Sequence, residues 1–292
     1  MARQASPRLV SGALVYLRPR TLNEAVDALG EPGAQVLAGG TDFYPALGER
    51  WISTPVVDIT AVREIKGIAR EKEYFRIGGG TTWTKVLQTP LPQCFDALKS
   101  AAREIGSVQI QNRGTVAGNL CNASPAADSV PPLLALDAEV ELASSSGTRR
   151  VPLPEFIVGN RKTLRAAGEI LTAVIVPRTV EDAPSVFLKL GARRYLVISI
   201  AMVAAVVSVN EQGRVRYARV AVGSCSVRAQ RLTALEQVLL DRPADAGLVA
   251  LVSPEHLSWL SPIDDVRATA TYRRDAALTL VRRSLELCVG SC

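Results

Sequence analysis

Apolar and polar positions alternate in short runs over the first sixty residues, and glycines separate the runs. Thr21 and Glu24 have the spacing of a capping box, so a short helix is predicted to begin there and to stop at Gly30. Apolar runs at 35–38 and 56–59 predict two strands. Residues up to about 60 are therefore predicted to form a small β-α-β-like lobe.

After residue 65 the pattern changes to strands joined by Gly-containing turns, with two helices among them. The predicted elements are a strand–turn–strand at 66–77, helices at about 82–88 and 95–105, and strands at 138–142, 150–152 and 170–176. A polar connector bounded by prolines follows at 177–184, and we predict a domain boundary there.

Beyond the connector the pattern is again mixed. Strands are predicted at 186–190, 197–209 and 216–222, with a turn at 210–213 and helices at 232–240 and 268–287. A chain of 292 residues is long enough for a large core divided into two or three lobes.

Two stretches rich in glycine and small polar residues interrupt this pattern. The first, 36–43, follows a predicted strand and contains Gly39 and Gly40, whose consecutive backbone N–H groups could hold a diphosphate. A tight strand-to-helix turn is the alternative for this stretch taken alone, and Asp42 is predicted to cap the following helix.

The second stretch, 106–128, holds so many small hydrogen-bonding groups that a core element is excluded, because each group would need a buried partner. We predict an irregular loop that wraps a large polar ligand, with glycines such as Gly118 permitting close backbone approach. Asp128 is then an acceptor for a sugar hydroxyl or an adenine amino group, or alternatively a helix cap before the Pro131–Pro132 turn.

Composition narrows the class of protein. The chain is 48% apolar and 21% charged, which is typical of a soluble globular protein. The net charge of +6 comes from scattered arginines, so nucleic-acid binding is not expected. The longest nearly apolar run, 195–209, is too short to span a bilayer, and Met1–Leu17 is too weakly apolar for a secretion signal. We therefore expect a cytoplasmic protein.

Reactive side chains are few. The five cysteines form no C-x-x-C motif, so neither a disulfide framework nor an iron–sulfur site is expected, although Cys288 and Cys292 could share a helix face. The single histidine, His256, is interpreted as a polar residue at a helix end, since no G-x-S-x-G motif accompanies it. Walker and Rossmann motifs are missing as well. No catalytic side chain and no metal ligand are predicted.

Several motifs in order along the chain resemble one family. They are Tyr16-Leu-Arg-Pro, Leu37-Ala-Gly-Gly-Thr-Asp-Phe43, Ile77-Gly-Gly-Gly-Thr-Thr82, the stretch from Gln109 to Asp128, Glu169-Ile-Leu, Phe187-Leu-Lys189 and Arg267-Ala-Thr-Ala-Thr-Tyr-Arg-Arg274. They cover nearly the whole chain. The resemblance is to the FAD-binding subunit of the molybdenum hydroxylases, the family of xanthine dehydrogenase and carbon monoxide dehydrogenase.

The resemblance implies an α+β fold: a two-lobed FAD-binding domain of the PCMH type, like vanillyl-alcohol oxidase, and a smaller α+β C-terminal domain. We assign the first domain to residues 1–178, with lobes at about 1–60 and 61–178, and the second to 184–292. The family also implies a partner that carries molybdopterin and a small partner with two [2Fe–2S] clusters, in a heterotrimer or its dimer. FAD is expected to be bound non-covalently.

Carried over residue by residue, the resemblance implies a set of FAD-contacting positions. The stretch 36–43 would hold the diphosphate, 115–119 the other side, Asp128 the ribose or adenine end, Leu171 the flavin ring and Lys189 its polar edge. The full set is Val36, Leu37, Ala38, Gly39, Gly40, Thr41, Asp42, Phe43, Ile105, Thr115, Val116, Ala117, Gly118, Asn119, Asn122, Asp128, Leu171 and Lys189.

The chain departs from the family pattern at Ala117, where a glycine is usual, at Gln111, where an arginine is common, and at Val197, where an acidic residue is frequent. The last departure leaves the electron acceptor open, between NAD, oxygen, a quinone and others. Two other functions remain as alternatives. One is a stand-alone FAD oxidase of the vanillyl-alcohol oxidase type, and the other is a non-catalytic nucleotide-binding protein.

Overall fold

The computed structural model describes residues 16–290, so Cys292 and the segment ahead of Tyr16 lie outside the described residues. The first lobe contains β1 (Tyr16–Leu17), α1 (Leu22–Ala28), β2 (Gln35–Leu37), α2 (Phe43–Leu47) and β3 (Val56–Asp58). Its three strands are parallel and lie in the order β1-β3-β2. The capping box of α1 is present, with the Thr21 hydroxyl accepting from the N–H of Glu24. The predicted β-α-β-like lobe is confirmed.

A second lobe follows, built on an antiparallel five-stranded sheet of order β4-β5-β10-β6-β7. Its elements are β4 (Ile68–Arg70), β5 (Tyr74–Gly78), α3 (Trp83–Gln88), α4 (Asp96–Glu104), α5 (Val108–Arg113), α6 (Val116–Asn122), α7 (Val130–Ala135), β6 (Glu139–Ser144), β7 (Gly147–Pro152), α8 (Leu153–Phe156), the hairpin β8 (Ile157–Gly159) and β9 (Lys162–Thr163), and β10 (Ile170–Pro177).

The last part of the chain forms a four-stranded antiparallel sheet with helices on one side. Its elements are β11 (Ser185–Leu190), β12 (Ala201–Val209), β13 (Val215–Gly223), β14 (Gln230–Arg231), α9 (Thr233–Leu239) and α10 (Ala270–Val289). Both faces of this sheet are buried. Met202 and Ala204 belong to the core that contains α4 and α7, whereas Ala201 and Val203 belong to the core of α9 and α10. Burial on both faces explains why β12 is continuously apolar from Ala201 to Val207.

The stretch 106–128 is not an irregular loop, and that prediction is wrong. It contains α5 and α6, which meet at Gly114. Thr115 caps α6 by accepting from the N–H of Gly118, and Val116 and Leu120 of α6 are buried in the core. The small polar residues concealed this apolar face, because each helix has fewer than two turns and an apolar periodicity does not stand out over so short a span.

Two further expectations need correction. Asp42 precedes α2 but makes no side-chain cap, because its carboxylate pairs with Arg161 instead. The strand predicted from residue 197 begins at Ala201, because residues 191–198 form a surface segment in which Tyr195 and Leu196 are more than half exposed. Among residues 16–290, no helix is long and apolar enough to cross a membrane.

Candidate functional site

A cavity of about 520 Å³ lies between the two lobes of the first part of the chain. Its walls come from the end of β2, the start of α2, helices α5 and α6, and the start of β10. Pockets of this size accommodate cofactor-sized ligands. A second cavity, of about 440 Å³, shares Ala38, Gly39, Ile59 and Thr115 with it.

The loop after β2 presents unpaired backbone donors to the cavity. Among the described residues, none accepts a hydrogen bond from the backbone N–H groups of Gly40, Thr41, Asp42 and Phe43, and all four residues line the cavity. Gly40 is in the left-handed region with φ +77°. Successive N–H groups in such a turn form a concave anion site, and a diphosphate is the anion that matches several donors in a row.

The two glycines of this loop are required by the protein itself. A Cβ on Gly39 would lie 1.9 Å from the carbonyl oxygen of Arg113, so this glycine allows the loop to pack against the end of α5. A Cβ on Gly40 would lie 2.7 Å from the Tyr44 ring, in addition to the left-handed backbone. Both glycines therefore have a structural role in this loop, and close approach of a ligand at Gly40 stays a prediction.

Gly118 of α6 fits that expectation better. A Cβ built there would meet only Thr115 Oγ1, at 2.9 Å, and no other atom within 4 Å, so it would project into the cavity that Gly118 lines. The N–H groups at this helix start are already used, since Val116 donates to Thr81, Ala117 to Gly79 and Gly118 to Thr115. This wall therefore offers space and the side chains of Asn119 and Asn122, rather than free backbone donors.

An arginine bridges the two walls. The Nη1 atom of Arg161 donates to Asp42 Oδ2 at 3.0 Å and to Asn122 Oδ1 at 2.8 Å. Asp42 belongs to the loop after β2 and Asn122 to the end of α6, so Arg161 links the two halves of the cavity from the β8–β9 hairpin. Its backbone is fixed as well, with φ +54° and an N–H that donates to the Ala123 carbonyl.

Apolar walls flank the polar loops on two sides. Trp83, Ile105 and Ile110 lie on or beside helices α3 to α5, whereas Ile59 and Ile170 belong to the apolar core of the first lobe, next to Leu171 of β10. A dinucleotide has a planar ring system at each end and a diphosphate between them. The cavity combines one anion-binding loop with apolar residues from both lobes, and this combination fits FAD.

Fourteen of the eighteen positions predicted for FAD line this cavity. They are Val36, Ala38, Gly39, Gly40, Thr41, Asp42, Phe43, Ile105, Thr115, Ala117, Gly118, Asn119, Asn122 and Leu171. Leu37 lines the second cavity instead, and Val116 is fully buried in the core.

Asp128 and Lys189 do not line the cavity but form a buried ion pair. The Lys189 ammonium donates to one carboxylate oxygen at 2.7 Å, and Ser199 donates to the other at 2.6 Å. Burial raises the pKa of Asp128, and the Lys189 ammonium opposes that rise. Lys189 lines a third cavity, of about 410 Å³, beside Glu104.

Residues that sequence reasoning missed include Arg161, Arg165 and Cys121. The arginines sit in or just after a hairpin ahead of the Glu169 motif, and only their proximity to that motif could have suggested a role. Burial raises the pKa of the Cys121 thiol to about 11, so this cavity residue is a protonated, weakly nucleophilic thiol at neutral pH.

In the part of the chain that the structure describes, no residues indicate a metal site or a catalytic histidine. No group of three or more His, Cys, Asp or Glu residues is placed to hold a metal ion there. His256 lies in a short 3₁₀ turn, where its Nδ1 atom accepts from the N–H of Ser253 at 3.1 Å. Its interpretation as a polar residue at a helix end agrees with this geometry.

Comparison with protein families gives two matches. A family model described as the FAD-binding domain in molybdopterin dehydrogenase matches residues 10–179. A second, described as the C-terminal domain of the CO dehydrogenase flavoprotein, matches residues 186–287.

Individual proteins match over nearly their full length. The nicotinate dehydrogenase FAD-subunit of Eubacterium barkeri is 34% identical, over 89% of this chain and 91% of its own. The xanthine dehydrogenase FAD-binding subunit of Escherichia coli O157:H7 is 31% identical, over 94% and 96%. A solved chain of the carbon monoxide dehydrogenase from Hydrogenophaga pseudoflava, in a form that lacks the Mo-pyranopterin moiety of the molybdenum cofactor, has a TM-score of 0.85 at 26% identity and covers 97% of this chain and 100% of its own.

Proposed function

We propose that this chain, which belongs to the family of FAD-binding subunits of the molybdenum hydroxylases, is the electron-transfer subunit of such an enzyme. It receives electrons from the [2Fe–2S] clusters of a partner subunit and delivers them through FAD to an external acceptor. The observation that carries this proposal is the row of four unpaired N–H groups, from Gly40 to Phe43, in a cavity between two apolar walls.

FAD, when bound, supplies a group that stores two electrons and releases them singly or in pairs. The chain itself holds the diphosphate on the loop after β2 and separates the two ring systems along the cavity. Arg161 stabilises the closed arrangement of the two walls through Asp42 and Asn122. Burial raises the pKa of the Cys121 thiol, which disfavours the thiolate that a covalent link to the flavin would need.

The fourteen cavity residues are the positions that we propose contact FAD. Asp128 and Lys189 remain proposed members of the site, and we propose that they reach FAD by exchanging their mutual hydrogen bond, or the one from Ser199 to Asp128, for a ribose hydroxyl or a ring atom. We place the division between the FAD-binding domain and the C-terminal domain at 178–184. The two family matches, which end at 179 and begin at 186, support this division.

The partners proposed are a molybdopterin-binding large subunit and a small subunit with two [2Fe–2S] clusters, assembled as a heterotrimer or its dimer. Relatives named as FAD-subunits and medium chains of dehydrogenases support this assembly. The scarcity of cysteine ligands also supports it, since residues 16–290 hold no cluster of potential metal ligands. The external acceptor is left open between NAD, oxygen and a quinone.

The test uses the assembled enzyme, purified by a tag on this chain from the organism that makes it. We expect two further chains, with molybdenum and iron in the preparation. After photoreduction of the clusters, reoxidation by NAD⁺, oxygen or a soluble quinone is followed in the holoenzyme and in an FAD-depleted sample. Reoxidation by at least one of the three acceptors should depend on FAD. Equal rates with all three acceptors in both samples would contradict electron transfer through FAD.

A further inference from the structure

Among the described residues, Arg165 is the one positively charged residue that lines the 520 Å³ cavity. Resting on the proposed function, we propose that Arg165 stabilises the negative charge that the flavin ring acquires on reduction. The family resemblance had placed another cation, Lys189, at the polar edge of the flavin ring. Lys189 is instead paired with Asp128 at 2.7 Å and lines a different cavity, so its charge is neutralised by that carboxylate.

The guanidinium of Arg165 donates hydrogen bonds to the protein, but some of its N–H groups have no acceptor there. Its Nη1 atom donates to the carbonyl oxygen of Glu169 at 2.8 Å and more weakly to that of Ala166 at 3.4 Å. No acceptor among residues 16–290 binds its Nε or Nη2 atom. The side chain is half-buried in the cavity wall, beside Ile170 and Leu171. Two donors therefore remain for a ligand at this end of the cavity.

The nearest carboxylate does not cancel the charge. Glu169 is bound in bidentate fashion by Arg149, with Nε to Oε1 at 2.6 Å and Nη2 to Oε2 at 2.9 Å. The N–H of Ala166 donates to it as well, at 2.7 Å. The hydrogen bond from Arg149 keeps the pKa of Glu169 below its usual range, so this carboxylate stays ionised. Arg149 and Glu169 form a neutral pair, which leaves the charge of Arg165 unbalanced.

The distribution of charge in FAD indicates which part of the cofactor lies next to Arg165. Under the proposed function, the diphosphate would take the four N–H groups at Gly40 to Phe43, which have no acceptor among the described residues. Adenine carries no charge at any stage of the cycle, whereas the isoalloxazine ring becomes negative along its N1 and C2 carbonyl edge. Arg165 therefore faces the flavin end, next to the apolar wall of Ile59, Ile170 and Leu171.

The redox step balances with the partners already proposed. Two electrons from reduced [2Fe–2S] clusters and one proton from solvent convert FAD to the anionic reduced form, and the clusters are oxidised. Reoxidation returns the two electrons to the external acceptor with release of that proton. Arg165 gains an anionic partner only in the reduced state, and a group that binds the reduced form more tightly raises the reduction potential.

The test compares Arg165→Met and Arg165→Lys with wild-type chain and with Arg216→Met, a control at an exposed arginine of β13. Midpoint potentials are measured by equilibration with redox dyes, and the Kd of oxidised FAD is measured on the same samples. In Arg165→Met we expect the reduced form to bind at least tenfold more weakly relative to oxidised FAD. That corresponds to a potential lower by about 30 mV for a two-electron couple. The Kd of oxidised FAD should change less than threefold.

Arg165→Lys should recover most of the potential, and the control should match wild type. An unchanged potential in Arg165→Met overturns the proposal. An unchanged potential with weaker, salt-sensitive binding of oxidised FAD would assign Arg165 to the diphosphate instead. If Arg165→Met retains no FAD, the potential of Arg165→Gln decides in the same way, since glutamine also removes the charge. If wild-type chain binds no FAD, the proposed function fails, and that outcome differs from every variant-specific one.

Discussion

Substitution of Gly118 is expected to affect ligand binding and leave folding nearly unchanged, more clearly than substitution of other cavity residues. Gly118→Ala removes a helix-interior glycine, which favours folding by up to about 1 kcal/mol. The new Cβ lies 2.9 Å from Thr115 Oγ1, the cap of α6, and displacing that cap costs about 1 kcal/mol. The two terms oppose each other, so the apoprotein should keep its stability to within about 1 kcal/mol.

Binding of FAD should respond differently. The Cβ projects into the cavity, since nothing except Thr115 lies within 4 Å of it. Gly118→Ala should weaken FAD binding by roughly tenfold, or ~1.4 kcal/mol. Gly118→Val, which adds two further methyl groups at the same point, should weaken it more. Gly159→Val is the matched control, because its Cβ would meet no atom within 4 Å and the residue does not line the cavity.

Flavin occupancy and thermal unfolding of the apoprotein are measured on the same preparations. The expected result is a loss of FAD affinity in both Gly118 variants, together with unfolding midpoints near that of the wild type. A folded Gly118→Val variant that binds FAD as tightly as wild type would refute the placement of FAD against α6. Unfolded Gly118 variants would show that the residue serves the helix, and Gly159→Val would then report on general tolerance to valine.

Three further outcomes follow from the same geometry. Gly40→Ala should destabilise the apoprotein by about 1–2 kcal/mol, since a left-handed φ of +77° is strained for alanine; an unchanged urea midpoint would contradict this. Arg161→Ala should leave stability within about 1 kcal/mol, because its ion pair with Asp42 is largely exposed, but should release FAD faster in a fluorescence assay; an unchanged rate would remove Arg161 from the site. Hydrogen bonds from the Arg267 N–H and the Arg273 guanidinium hold the pKa of Asp265 at about 2, below its ordinary value near 3.9. The stabilisation from the ionised Asp265 carboxylate is present above about pH 4 and is lost as the pH falls towards 2. Asp265→Asn should therefore reduce the dependence of the free energy of urea unfolding on pH between 4 and 2. An equal pH dependence in the variant and the wild type would count against this prediction.

Sequence patterns predicted most elements of the fold correctly. Capping at Thr21, glycine-bounded strands and the apolar period of the last helix all depend on local chemistry that a sequence displays. The α+β FAD fold with a second, smaller domain is confirmed by the family matches and by the carbon monoxide dehydrogenase structure. Helices α5 and α6 were missed, because Gly114 and the surrounding amides conceal two short apolar faces.

The two loops of the site were predictable because glycines and small polar residues are unusual between apolar elements. Pairings between distant residues were not. Arg161 contacts Asp42, which is more than a hundred positions earlier in the chain. Lys189 of β11 pairs with Asp128, which lies just before α7. A charge listed in a sequence carries no information on which opposite charge neutralises it. The family resemblance placed Lys189 at the flavin ring, and the sequence could not show that Lys189 is paired with Asp128.

The most direct measurement of the central claim is the flavin content of the purified chain after reconstitution with FAD. The account predicts one FAD per chain with a flavin absorption spectrum, and acid precipitation should leave all of it in the supernatant as FAD by chromatography. A chain that binds no flavin, that binds only FMN, or that keeps flavin in the acid precipitate would contradict it.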